Sequence, residues 1–292
     1  MNTALLHNGE IITAKEYDES TNGSRIYCID KNCRAPLIHV VKTQNKSEHF
    51  KTTGKGESKH KQKCGFYEPL DLLESVAKVK EYQEDLGDNM NETLIRLNMN
   101  RIDPDHESKA VERGKKDKKD DSTKIKVKQD NDTPASISSV KSVVKLITEY
   151  EPDILASILV NVGGGYKIPI SELVVKHIDA HKMLWEDRVF DVGYFVYGKV
   201  ANMIKRDKVQ YINFDEEQGV AFTIVLFQKY WHEFNYSNEE LVGKHVMVYG
   251  HLRKNEYQGK RETEMIIKSD KYVEVLKIKK LKSQLEESNE EE

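Results

Sequence analysis

The sequence predicts an α+β multidomain chain: a small β-rich module holding all the cysteines, a charged linker, short helices, and a C-terminal five-stranded β-barrel. Three observations predict it. Cys28, Cys33 and Cys64 all fall in one stretch of about forty residues, mixed charge without any aromatic fills 103–136, and five β-branched or alternating runs crowd into 190–276. The length of 292 residues exceeds the usual single domain, so two folded units plus connectors are expected. Only 38% of residues are hydrophobic against 33% charged, which points to at least one long solvated segment.

The module covers 1–69, where "ALLHNGEIITAKEY", "RIYCI" and "APLIHVVKT" read as short strands separated by Asn-Gly and Lys-Asn turns. A helical extension over 70–102 follows, because Leu70, Leu73, Val76 and Val79 recur at helical spacing behind Pro69. The segment 103–136 buries too little apolar surface to offset its chain entropy and reads as a flexible charged linker. Over 137–189 the pattern gives two or three short amphipathic helices joined by Gly163, Gly164 and Gly165. That glycine run lacks the Lys-Ser/Thr sequel of a phosphate loop and reads as a turn. The barrel spans 190–276, with the helical insert "YWHEFNYSNEELV" between its third and fourth strands, and a charged tail occupies 277–292.

Five strands with a helix in that position is the OB layout. Val192, Tyr194, Val196, Gly198 and Val200 fall on one face of the first strand, and Phe222, Ile224 and Leu226 on one face of the third, as an inward set should. "GKHVMVYGHL" after an acidic helix, then a polar turn and "MIIKSDKYVEVL", resembles the closing half of nucleic-acid-binding OB domains.

Three cysteines cannot all pair with one another, so a disulfide framework is the weak reading. Cys28 and Cys33 form one short-spaced pair and His60 and Cys64 another, one at each end of a loop. Four such donors match the tetrahedral shell of a Zn²⁺ ion, and a closed Cys₃His shell leaves no position for water or substrate, so the site is expected to be structural. His39 and His49 are rival ligands; the first lies in a strand-like run and the second between Glu48 and Phe50. "YCIDKNC", the "HF" of His49 and Phe50, and "HKQKC" from His60 together resemble the N-terminal zinc-binding region of the competence protein CoiA-like family. That resemblance implies a DNA-associated role and a restriction-type nuclease domain downstream. The expected carboxylate cluster is missing: Glu107, Ser108 and Lys109 have the right letters but lie in the linker.

Between Arg25 and Cys64 ten Lys or Arg face three acids, a balance of +7, in a chain whose formal total is −3. A compact unit so charged is the electrostatic footprint of a polyanion partner, with Lys55, Lys59, Lys61 and Lys63 its densest run. From 190 to 276 the balance is twelve bases to thirteen acids, so local placement must carry any binding there. Lys205, Arg206 and Lys208 occupy the turn after the first strand and Arg253 and Lys254 the approach to the fifth, the two loops by which OB folds grip single strands. Lys199 adds a base beside them, and Tyr197, Tyr211 and Tyr257 are candidate stacking platforms. The tail "EESNEEE" reads as a solubility segment or as an intramolecular competitor for basic surfaces.

No signal-peptide layout opens the chain, and the apolar run Ile154 to Val160 falls well short of the ~18 residues a spanning helix needs. The expectation is a cytoplasmic, non-enzymatic nucleic-acid-binding protein without a membrane partner, favouring single-stranded DNA over RNA. The alternative is an adaptor whose helices and OB-like part bind a protein partner; a DNA-processing nuclease or nuclease accessory subunit ranks third.

Overall fold

The structure, a computed structural model, describes residues 1–44, 46–86, 92–106 and 136–277. Most of the expected linker and the tail beyond 277 therefore lie outside the described residues.

In the N-terminal module, β1 (Thr3–Leu6) pairs antiparallel with β2 (Ile11–Thr13). A short helix α1 (Glu19–Asn22), capped by the Asp18 carboxylate, leads into β3 (Ile26–Tyr27) on the other side of β1. A second antiparallel pair, β4 (Ile38–Val40) and β5 (His49–Lys51), follows. The long helix α2 (Leu72–Leu86) starts where Asp71 and Glu74 cap one another's backbone amides. It buries Leu72, Val76, Val79 and Tyr82, a stripe at helical spacing.

Beyond α2 the chain is not purely helical. Strand β6 (Thr93–Leu97) pairs parallel with β7 (Ser136–Ile137). Helix α3 (Val140–Glu149), capped by Ser139, and α4 (Pro152–Ala156) lead to β8 (Ile158–Gly163), which pairs with the other side of β6. Then β9 (Tyr166–Pro169) folds back on β8, giving a four-stranded sheet ordered β7-β6-β8-β9. Two sequence expectations are corrected here: 70–102 contains a strand, and Gly163, Gly164 and Gly165 turn a β-hairpin instead of joining helices. All three have positive φ, +99°, +61° and +85°, which a side chain would resist. β7 spans two residues and β9 four, while β6 and β8, at five and six, are short apolar runs that periodicity alone does not separate from a buried helical segment.

Helix α5 (Ile170–Leu173), strand β10 (Val174–Lys176) and helix α6 (His177–Trp185) run into the largest sheet. Its members are β11 (Tyr194–Lys205), β12 (Val209–Phe214) and β13 (Ala221–Phe227). A 3₁₀ turn over Gln228–Glu233 and helix α7 (Asn238–Leu241) separate these from β14 (His245–Gly250), β15 (Leu252–Tyr257), β16 (Lys260–Ile267) and β17 (Val273–Val275). Hydrogen bonds run β15-β16-β13-β12-β11-β14-β17, and β10 adds to β11. This path is open, with more strands than the five expected, and closes no barrel among the described residues. Its first half pairs β11 with β14 and its second half pairs it with β12, with a register shift between Val200 and Asn202. The fold is thus mixed α and β, with short helices among sheets.

One contiguous set of buried side chains runs from Met1 to Leu276. Helix α2 packs on α3, α4 and α5, while α3 reaches β14 and β17. The backbone amides of Asn2 and Thr3 and the Thr3 hydroxyl all donate to Asp153 Oδ2 on α4, at 2.7, 2.9 and 3.0 Å. The cysteine module is therefore joined to the rest by core contacts, where the sequence suggested separation.

Candidate metal centre

Two turns build the site. Cys28 leaves β3, and the chain bends back so that the Cys28 amide donates to the Ala35 carbonyl at 2.9 Å, enclosing Cys33. The second turn closes when the Cys64 amide donates to the Lys61 carbonyl at 3.1 Å. Arg34, after one ligand, and Lys63, before another, adopt left-handed φ of 50° and 67°, which tight knuckles demand.

The four ligand atoms of Cys28, Cys33, His60 and Cys64 lie within 4.8 Å of one another and could bind a metal ion. Cys28 Sγ is 3.7 Å from Cys64 Sγ, and His60 Nδ1 is 3.5 Å from both Cys33 Sγ and Cys64 Sγ. The three cysteines are free thiols and buried, and His60 is half-buried. The Cys64 thiol is held down to about 5, first by its contact with Cys28 Sγ, then by His60 and the Phe66 amide. Cys28, the other sulfur of that contact, is pushed up by it and then by burial, and burial raises Cys33.

Asp30, between the first two ligands, ties the site to the fold. Its Oδ2 accepts from Lys78 Nζ at 3.0 Å, the Tyr82 hydroxyl at 2.9 Å and the Gly65 amide at 3.3 Å, while Oδ1 accepts from the Asn32 amide at 3.0 Å. Burial alone would raise its pKa, but Lys78 and Tyr82 outweigh that and hold the carboxyl below its usual range. Phe66 stacks between His60 and Tyr82, at 5.8 Å from each ring. Sequence reading missed Asp30, Lys78 and Tyr82. An acid flanked by two cysteines was the available signal, but its partners lie about fifty residues away.

The rival histidines are elsewhere: His39 Nε2 meets the Ala14 carbonyl at 3.0 Å and packs against Tyr17 and Phe50, and His49 Nδ1 meets the Ser47 carbonyl at 2.9 Å. Lys55, Lys59, Lys61 and Lys63 are exposed, and no ion pair among the described residues engages them.

The other candidates divide. Tyr197 is corrected: it is 9% exposed in β11, burial pushes its pKa up to about 12, and it presents no ring for stacking. Both faces of the first half of β11 are covered, so the expected outward side is also core. Lys199 pairs with Asp215 at 3.0 Å. The Lys205 ammonium sits 3.9 Å from the Trp231 ring centroid. Arg206 and Lys208 are exposed at the β11–β12 turn, Tyr211 is half-buried on β12, and Arg253 is exposed on β15. Lys254 pairs with Asp187 at 2.5 Å and lies 5.4 Å from the Trp185 ring, which Arg261 also covers at 5.0 Å. The side chain of Tyr257 lies outside the described residues.

Among the described residues no helix is long and apolar enough to cross a membrane. No family model matches the chain, and no curated protein matches it.

Proposed function

We propose that this chain is a non-enzymatic nucleic-acid-binding protein, favouring single-stranded DNA, in which a structural zinc ion cross-links a basic module. The observation that carries it is the second knuckle: His60 and Cys64 are interleaved with Lys59, Lys61 and Lys63, all exposed and with no ion pair among the described residues. Fixing the two ligands fixes three cations on one short loop, the arrangement a phosphate backbone would meet.

Zinc fits the donor set. With Zn–S near 2.3 Å and Zn–N near 2.0–2.1 Å, a tetrahedron has S···S edges of about 3.8 Å and S···N edges of about 3.6 Å. The Cys28–Cys64 edge of 3.7 Å and the two His60 edges of 3.5 Å match these values, and all four ligand atoms lie within 4.8 Å of one another. Bound there, the ion would supply cross-linking and no chemistry, since four protein ligands complete its shell. The resemblance to the CoiA-like zinc region is compatible with this reading.

The large sheet is read as an OB-like unit. A β11-β12-β13 meander, a parallel β13–β16 pair, and β14 running into β15 with only His251 between them support that reading. The near-neutral charge of 190–276 favours the second reading, an adaptor in which this sheet and the helices hold a protein partner.

The test has two parts. Purified protein should carry one zinc per chain, and Cys64→Ser should lose it. Replacing Lys55, Lys59, Lys61 and Lys63 together by Gln should weaken binding of single-stranded DNA, duplex DNA and RNA alike and flatten the salt dependence. Unchanged affinity in the lysine variant would move the reading to the adaptor.

A further inference from the structure

The hairpin of β4 and β5 has one face in the core and the other in solvent. Its register sets His39 opposite Phe50, Ile38 opposite Lys51 and Val40 opposite His49. Successive side chains alternate, so His39 and Phe50 share one face and the other four share the opposite one. The first face is locked: Phe50 is 1% exposed and stands edge-on to Tyr17 at 5.6 Å, its amide donates to the Met1 carbonyl at 2.9 Å, and His39 Nε2 donates to the Ala14 carbonyl at 3.0 Å. The second face is open, with Ile38 42% exposed. Beyond β4 the loop residues Val41, Lys42, Thr43, Gln44, Lys46 and Ser47 are all exposed, Val41 at 68%. The Thr43 amide donates to the Lys46 carbonyl at 2.9 Å and closes the tip. Lys42, Lys46 and Lys51 enter no ion pair among the described residues, and the sole acid from 38 to 51 is Glu48.

We infer that this hairpin is a two-stranded ribbon that enters the major groove of duplex DNA, with Lys42, Lys46 and Lys51 on phosphates and Ile38 and Val41 against thymine methyl groups. The inference rests on the nucleic-acid reading above and adds a duplex to the single strand proposed there. Charge selects a polyanion, since three cations face one acid. Shape selects the groove. Paired strands stand about 4.8 Å apart, and with side chains such a ribbon matches the ~12 Å width of the major groove and not the ~6 Å of the minor one. The side chains select the duplex. The only ring on this face is that of His49; the exposed groups are aliphatic, hydroxyl, amide and ammonium, which suit base edges and thymine methyls instead of the faces of unstacked bases. An RNA duplex does not fit, because side chains cannot read its deep, narrow major groove. Sequence reading weighed His39 and His49 here only as metal ligands, and the hairpin that sets them on opposite faces comes from the pairing of two strands.

The test titrates the full chain, over a range of salt, with fluorescent single-stranded DNA, a DNA duplex, the same duplex with uracil in place of thymine, and an RNA duplex of matching sequence. The unsubstituted chain should bind the thymine duplex more tightly than the uracil one. Lys42→Gln combined with Lys46→Gln removes two phosphate contacts, so the slope of log affinity against log salt on the DNA duplex should shrink by about 1.8. On the RNA duplex it should shrink far less. Val41→Ser should abolish the preference for thymine at an unaltered thermal midpoint, because so exposed a side chain carries little of the fold. The inference fails and the reading stands if single strands bind but the DNA duplex does not, if both salt slopes shrink alike, or if the thymine and uracil duplexes bind equally. Uptake of the chain by phosphatidylserine vesicles that Val41→Ser abolishes would assign the face to lipid and also overturn it. Should the unsubstituted chain bind no oligonucleotide at low salt, the nucleic-acid reading itself is gone, and this inference with it.

Discussion

Asp30 shows how one side chain sets the order of a larger region. It is fully buried, and four donors reach it: Lys78, Tyr82, and the amides of Gly65 and Asn32. A buried carboxylate is tolerable only when so satisfied, since an unpaired charge in the interior is costly. Because Gly65 follows one ligand and Asn32 precedes another, the same carboxylate braces both knuckles. Tyr82→Phe removes one donor while keeping the ring stacked on Phe66, and hydrogen bonds to charged groups contribute about 1.5–3 kcal/mol. Denaturant unfolding of this variant should show a loss of that size, and a competing chelator should strip its metal more readily. Wild-type metal retention and stability together would refute the bracing role.

Strand β11 belongs to two neighbourhoods, and its glycine explains how. A Cβ on Gly198 would stand 2.3 Å from Phe214 Cδ2 and 2.9 Å from His177 Nδ1. The missing side chain lets the Phe214 ring lie over the strand, stacked on Phe222 at 5.1 Å and edge-on to His177 at 5.6 Å. Overpacking a filled core costs about 1–3 kcal/mol. Gly198→Ala should lose stability in that range by thermal or denaturant unfolding, whereas Gly219→Ala, whose site has nothing within 4 Å, should feel only the strain of its positive φ. Equal stability of Gly198→Ala and the parent would show that Phe214 can move aside.

At the scale of the whole molecule, the candidate metal ligands and the helices share one core. Chelation or Cys64→Ser should therefore raise hydrogen exchange in α2 as well as in residues up to 69, because Asp30 and Phe66 connect the shell to Tyr82. Exchange confined to the first 69 residues would mean that the module melts alone. Acid should act on a different part. His177 is fully buried, and burial pushes its pKa below the ordinary 6.5. His181 and His245 are lowered too, again first by burial. Below about pH 6.5 the unfolded chain takes up protons that these folded sites resist, so stability should fall as pH drops through that range. His177→Leu should lose less stability than the parent between pH 7.5 and 5.5, read from thermal midpoints. An identical loss would place the acid sensitivity elsewhere, for example in the thiols.

The sequence by itself determined what is local or chemically distinctive. Four soft or borderline donors in two short-spaced pairs point to a candidate metal site from their types alone, and the β-branched runs after 190 point to strands, because both signals lie within a few residues. The buried stripe of α2 was legible for the same reason: Val76 and Val79 sit at helical spacing whatever surrounds them. Only the tertiary structure decided the rest. Strands β6 and β8 are paired with each other across more than sixty residues, a partnership that no local pattern announces. Tyr197 is buried in a strand flanked by β10 on one edge and β14 on the other, and nothing in its own strand records those neighbours. Asp30 joined to Tyr82, and Asp153 joined to Thr3, place the cysteine module inside a common core. Burial and long-range pairing depend on which distant surfaces meet, and that is a property of the folded chain.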